Sequence, residues 1–157
     1  MVLLKIIIPQ SMIFYFNFLI FRLPLNAETN IISIKGTKFT FFTKSPFFKI
    51  IPFDYKLRDV YKDHFFVRTW TRPKLAPPVC ENYQIRNILH VNFLGKYNFK
   101  ETYEHSKWAV SATKDITCFG DLNHSISQTK RGGNIVCFNN KNVANILKQA
   151  IMSKDKC

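Results

Sequence analysis

Apolar positions along this chain alternate more often than they recur at helical spacing. Lys38 to Phe48 carries Phe39, Phe41, Phe42, Phe47 and Phe48, and its rhythm predicts a strand that breaks at Ser45-Pro46. Phe65 to Thr71 is dense in β-branched and aromatic residues and runs into Pro73, Pro77 and Pro78, which stop it. Lys107 to Ser111, Ile116 to Phe119 leading into Gly120, and Asn134 to Phe138 read as three further strands. Between Asn82 and Asn92 the apolar Tyr83, Ile85, Ile88, Leu89 and Val91 fall at mixed spacing, so strand and helix compete. Asp54 to Asp63 is charged, with Leu57, Val60 and Tyr61 on one side, and reads as a short helix or turn. The clearest helix spans Asn142 to Ser153: Val143, Ile146, Leu147, Ala150 and Ile151 form one stripe at offsets 0, 3, 4, 7 and 8. Asn139 or Asn140 can cap it. Residues 28–38 are polar and ambiguous. The pattern is α+β or α/β, with most of its signal in strands.

The first 27 residues differ from the rest. Lys5 supplies a small positive start, Ile6 to Leu25 is mostly apolar with Phe14, Tyr15, Phe16, Phe18 and Phe21, and Ala27 offers a small residue for cleavage. Residues 1–27 therefore read as a secretory signal peptide. An uncleaved anchor is the alternative, against which Pro9, Asn17 and Arg22 interrupt the run. No second long apolar run follows, so stable membrane insertion after cleavage is not expected, and residues 28–157 make one domain. Cleavage would take Lys5 and Arg22 away and no acid, so the formal charge falls from +13 to +11. That excess favours an anionic partner such as nucleic acid, an anionic surface or an acidic glycan. Cys80, Cys118, Cys137 and Cys157 all lie in the mature part, and an even count behind a leader implies two disulfides. Three pairings are open. Cys118–Cys137, closing a Gly-containing loop between two short strands, with Cys80–Cys157, tying the last residue to the body, is the favoured one. A core this small makes such staples, and a partner subunit, matter more to stability.

Candidate chemistry concentrates after Glu104. The chain reads His105-Ser106-Lys107-Trp108-Ala109-Val110-Ser111, then Thr117-Cys118-Phe119-Gly120-Asp121-Leu122-Asn123, then Arg131-Gly132-Gly133 and Cys137. Read as part of a strand, His105 and Lys107 share a side, which places an imidazole and an ammonium in one pocket, as phosphoryl transfer requires. Trp108 then points the other way, into the core. A bare H-x-K is a weak motif, and alone His105 would read as a surface histidine before a strand. Its flanks decide otherwise. In order and spacing they resemble the C-terminal part of the deoxyribonuclease II family, which carries H-S-K-W-C-V-S, T-C-x-G-D-x-N, R-G-G and a second cysteine. Upstream, Lys44-Ser45 with Leu57-Arg58-Asp59-Val60-Tyr61 is similar to the family's F-x-K-S and D-L-Y region, and Phe66 to Trp70 to its following strand. Cys80 and Cys157 sit where the family has its long-range disulfide. The resemblance covers residues 39–157, the second half of a full-length member.

That resemblance implies half of a phospholipase D-like fold, a mixed β-sheet packed with helices and stapled by disulfides. In such folds two related halves each supply one H-x-K, one histidine attacking phosphorus and the other protonating the leaving 5′-oxygen, with no metal or other cofactor required. His105 and Lys107 would be catalytic here, and Asn123 would donate its amide to a phosphate oxygen. Arg131 with its neighbour Lys130, and Arg68 beside the Phe65–Thr71 strand, would contact DNA phosphates; a solvated strand edge is the bland reading of Arg68. Asp121 reads as a structural acceptor, and the Asn123-His124-Ser125 glycosylation sequon is expected to be unused. His64, His90 and His124 lack metal-ligand spacing with the cysteines and read as structural or surface positions. The leader read at residues 1–27 implies a secreted or lysosomal location. Two departures stand out: Ala109 replaces the family's cysteine after tryptophan, and no second H-x-K is present. Three readings follow. The chain is an acid endonuclease completed by a second copy or a complementary half; it is a catalytically silent, secreted DNA-binding homologue; or it is a truncated gene product.

Overall fold

Nine strands form one mixed sheet in a computed structural model that describes residues 25–72, 74–100 and 102–157. In chain order they are β1 (Asn26–Ile32), β2 (Lys38–Lys44), β3 (Phe65–Arg68), β4 (Ile85–Phe93), β5 (Tyr97–Lys100), β6 (Trp108–Ser111), β7 (Ile116–Gly120), β8 (Gly133–Asn139) and β9 (Ile151–Lys154). Across the sheet the order is β1-β2-β8-β7-β6-β3-β4-β5, with β9 pairing β4. Only β3 and β4 run parallel; the other pairs among the described residues are antiparallel. A π-helical turn (Phe53–Leu57) runs into the short α1 (Arg58–Tyr61), a 3-10 turn covers Ile126–Lys130, and α2 spans Lys141–Ala150.

The two faces of the sheet carry separate cores because side chains alternate along each strand. The row Val67, Ala109, Cys118 and Cys137 faces Phe53 and Leu57 of the turn leading into α1, and Phe42, Phe65, Ile85 and Ile135 complete that cluster. The opposite face presents Trp108 and Val110 to Ala144 and Leu147 of α2, with Ile88 and Val91 of β4. Trp108 thus packs in the core, 3% exposed. Both disulfides form as favoured, Cys118–Cys137 as directly opposed residues of β7 and β8, and Cys80–Cys157 closing the chain end onto the body.

Several elements differ from the sequence reading, each for a packing reason. The polar stretch from Asn26 to Ile32 is a strand because an edge strand with one partner tolerates exposed Glu28 and Asn30; Asn30 accepts a hydrogen bond from Thr40 Oγ1. Residues 1–24 of the expected leader lie outside the described residues, while Asn26 and Ala27 open β1. The Asn82–Asn92 segment resolves to a strand, β4, whose first part pairs β3 and whose later part pairs β5 and β9. The helix expected to reach Ser153 ends at Ala150. Asn140 caps it through Val143 N at 3.1 Å, and Ile151 enters β9 to pair with Val91. Its buried stripe is Ala144, Leu147 and Ala150, whereas Ile146 is 52% exposed. No helix among the described residues is long and apolar enough to cross a membrane.

Asp63 holds the β6–β7 turn against the start of β3. Its carboxylate accepts from Ser111 Oγ, from Thr113 N (3.1 Å) and Oγ1 (2.9 Å), and from His64 N (2.8 Å). Burial pushes this carboxyl up, but the bonds from Ser111, Thr113 and His64 outweigh burial and hold it below the usual carboxylate range. A lowered folded-state value contributes stability above the unfolded value of about 3.9 that is lost as pH falls through the folded one. Asp63→Ala should therefore cost about 2–3 kcal/mol, mostly from the donors left unpaired. Urea titrations should find that cost constant from about pH 7 to pH 5 and shrinking only below about pH 4.

Candidate active site

Antiparallel pairing brings four chain ends to one edge of the sheet. Trp108 opens β6 opposite Phe119 near the end of β7 and opposite Arg68 at the end of β3. Gly120 ends β7 opposite Ile135, near the start of β8. The segments just outside those strands are therefore neighbours: Thr69-Trp70, His105–Lys107, Asp121–Asn123 and Lys130–Gly132. One backbone bond fastens the middle pair, Gly120 N donating to the Lys107 carbonyl at 2.9 Å.

The strand expected from Lys107 begins one residue later, at Trp108, so His105, Ser106 and Lys107 form the connection entering it. His105 is exposed, and its ring stacks on Trp70 with centroids 4.2 Å apart and planes at 29°. Trp70 is itself anchored, its indole N–H donating to the Thr102 carbonyl at 3.3 Å. The Lys107 ammonium donates to the His105 carbonyl at 2.7 Å. Glu104 shapes the loop from inside: one carboxylate oxygen accepts from Ser106 N at 2.5 Å and the other meets Arg68 Nε at 2.9 Å. Burial pushes the Glu104 carboxyl up, yet the bonds from Ser106 and Arg68 leave it below its ordinary range.

Arg68 corrects an expectation. It is fully buried, and its guanidinium also donates to the carbonyls of Ile88 and Phe99, each at 3.2 Å. It cannot reach a DNA phosphate from there; it holds the loop that carries His105. Lys130 and Arg131, by contrast, are exposed at the end of the 3-10 turn. That turn is held from beneath by Lys44, buried and donating to the carbonyls of Thr129 (2.8 Å), Phe48 (3.0 Å) and Ser45 (3.4 Å). Burial pushes the Lys44 ammonium down.

Asp121 ties the Gly120–Asn123 turn to β8, accepting from Asn134 N at 2.9 Å and from its side-chain amide at 3.3 Å. Gly133 is needed there, because a Cβ would overlap Asp121 Oδ1 and Leu122 Cγ. Asn123 is 7% exposed and its Oδ1 is buried with no hydrogen-bond partner. His124 is fully buried, not at the surface, while His64 accepts from Gln84 N and His90 pairs with Asn98. Sequence reasoning did not find Trp70, Glu104 or Lys44 as supports. Lys44 and Trp70 stood in segments similar to the family but without a role, and Glu104 was marked only by directly preceding His105.

The sequence model of the family described as Deoxyribonuclease II matches residues 10–157. The chain belongs to the deoxyribonuclease II family. It is 32% identical over 124 residues to a deoxyribonuclease-2-beta of Mus musculus, covering 76% of this chain and 35% of that protein. It is 30% identical over 138 residues to plancitoxin-1 of Acanthaster planci, covering 85% of this chain and 38% of the relative. Over 62 residues it is 42% identical to cell-death-related nuclease 7 of Caenorhabditis elegans, covering 38% of this chain and 17% of the relative. The chain thus spans little more than a third of the length of the first two of these relatives.

Proposed function

We propose that this chain supplies one half of a deoxyribonuclease II-type site that hydrolyses DNA phosphodiesters without a metal, in a phospholipase D-like arrangement completed by a second H-x-K. What carries the reading is the meeting of His105-Ser106-Lys107 with the Gly120–Asn123 turn at one sheet edge, joined by the Gly120–Lys107 backbone bond. In this scheme one histidine of the completed pair attacks phosphorus and forms a phosphohistidine. The other gives a proton to the leaving 5′-oxygen, and water then releases a 3′-phosphate end. His105 takes one of those two roles. Lys107 exchanges the His105 carbonyl for a phosphoryl oxygen, where an ammonium offsets the charge developing in the transition state. The Asn123 amide holds a second oxygen. Lys130 and Arg131 meet backbone phosphates outside the reacting group, and residues 1–27 direct the chain to the secretory or lysosomal route.

Because one H-x-K makes half a site, the partner is a second copy or a complementary half. Plasmid nicking at about pH 5 with chelator present tests this; acid conditions keep one imidazole of a pair protonated. His105→Ala should lower nicking at least about a hundredfold. Undiminished nicking by that variant, or nicking by a strict monomer in size-exclusion chromatography, defeats the scheme. The second reading, a silent DNA-binding homologue, draws on the +13 charge and the lone H-x-K. It predicts salt-sensitive DNA binding with no cleavage at any pH.

A further inference from the structure

We propose that His124 and Asp54 hold one shared proton in the folded chain, and that this pair positions Asn123. Burial and hydrogen-bond directions carry the inference. His124 is fully buried, and each ring nitrogen faces an oxygen: Nδ1 lies 2.7 Å from Asn87 Oδ1, and Nε2 lies 2.7 Å from Asp54 Oδ1. The Asn87 amide cannot be turned around. Its nitrogen donates to the Ala76 carbonyl at 3.0 Å and to Asp155 Oδ2 at 2.6 Å, both acceptors, so its oxygen must face the ring. Nδ1 therefore carries a hydrogen. A bare Nε2 facing an ionised carboxylate at 2.7 Å would set two lone pairs against each other, so a second proton lies between them. Whether it sits on the imidazole or the carboxyl, the pair holds one proton more than a neutral histidine beside an ionised aspartate.

The surroundings favour keeping it. Asp54 approaches from the π-helical turn, and Asp155, near the chain end, stands one amide behind Asn87 of β4. Arg86 is engaged by the Asp155 main-chain carbonyl, and Phe53 presents its ring edge-on to His124, centroids 6.4 Å apart. Thr69, past β3, meets the main chain. Arg58 and Asp59 border the same cavity as Asp54. Asp54 is 22% exposed and gives the proton its route to solvent.

The link to Asn123 is the peptide they share. His124 N donates to Thr69 Oγ1 at 3.1 Å, the His124 carbonyl accepts from Ala76 N at 2.8 Å, and Ser125 N closes on the Asn123 carbonyl at 2.9 Å. With the ring held at both nitrogens, the turn that buries Asn123 has one arrangement. Without a hydrogen between Nε2 and Asp54 their lone pairs would oppose each other, and the turn would lose this anchor.

Asp54→Asn separates a proton requirement from a packing role. An asparagine amide donates to a neutral Nε2, satisfying the ring at every pH. Nitrogen-resolved NMR of histidine rings in the intact chain at about pH 5 should find a hydrogen bound or shared at both His124 nitrogens. In Asp54→Asn, Nε2 should carry a lone pair. At a single pH, Asp54→Ala, which leaves Nε2 without a partner, should melt roughly 3–6 °C below Asp54→Asn. A bare Nε2 in the wild-type chain at pH 5, or a hydrogen at both ring nitrogens in Asp54→Asn, overturns the proposal. The consequence for catalysis rests on the nuclease reading above: at about pH 5, Asp54→Ala should nick about tenfold less than Asp54→Asn, which keeps a partner for the ring. Absence of nicking in both proteins would remove the nuclease reading, while the ring signature and melting curves still decide the proton.

Discussion

Arg68→Ala should lower the unfolding free energy by about 3–5 kcal/mol, because it strips the partner from a largely buried carboxylate. Glu104 would keep its charge with the guanidinium gone, and the carbonyls of Ile88 and Phe99 would lose their donor. Arg68→Lys should rescue little, since one ammonium cannot reproduce three bonds in fixed directions. Pairing Arg68→Met with Glu104→Gln should cost clearly less than Arg68→Ala, since no lone charge is left inside. Urea unfolding at neutral pH measures all three. A cost below about 1 kcal/mol for Arg68→Ala would mean that the buried guanidinium supports nothing. DNA binding separates the two arginines. Arg131→Ala should reduce the salt dependence of binding by about one counterion, whereas a conservative change at Arg68 should leave that slope unchanged.

Removing the Cys80–Cys157 bridge should have an effect of similar size by another route. It closes a separation of 77 residues, against 19 for Cys118–Cys137. On the chain-entropy account the longer loop contributes about 4.5 kcal/mol and the shorter about 3 kcal/mol, by restricting the unfolded chain. The order of reduction should be the reverse of concealment. Cys80 and Cys157 are exposed, while Cys118 and Cys137 are buried between the sheet and the π-helical turn. Mild reductant should open the outer bridge first and lower the denaturation midpoint in one step, with the inner bridge surviving until the chain unfolds. A second consequence follows from Asp155, two residues before Cys157, which holds Asn87 through both its backbone N–H and its side-chain amide. Freeing the chain end should therefore disturb Asn87 and, through it, the His124 ring. Thiol labelling with mass detection, alongside melting curves, checks both parts; an unchanged midpoint after selective opening would contradict the account.

How far the sequence could be read depended on whether a signal was local. β2, with its alternating rhythm, and β3, dense in β-branched and aromatic residues, were legible because both signals belong to neighbouring residues. The same logic misjudged α2. Ile146 and Ile151 fit a helical stripe, but the sheet took Ile151 as a strand residue and left Ile146 in solvent. β5 was not anticipated, because an exposed edge strand carries no burial pattern. Arg68 illustrates the limit at the site: a basic residue beside a strand reads as solvated or phosphate-facing, and nothing local says that a glutamate 36 positions away will cover it.

By itself, the sequence determined the family motif, the cysteine set, the strand-rich composition and the basic charge, because each is written in residue identity and short spacing. Tertiary structure alone decided that β3, β6, β7 and β8 end at one edge, that Arg68 and Lys44 are internal braces, and that His124 is enclosed between Asp54 and Asn87. The physical reason is that burial and hydrogen-bond partnership belong to pairs of groups distant in the chain. A side chain's charge is fixed by its chemistry, but what that charge does is set by whichever segment folds against it.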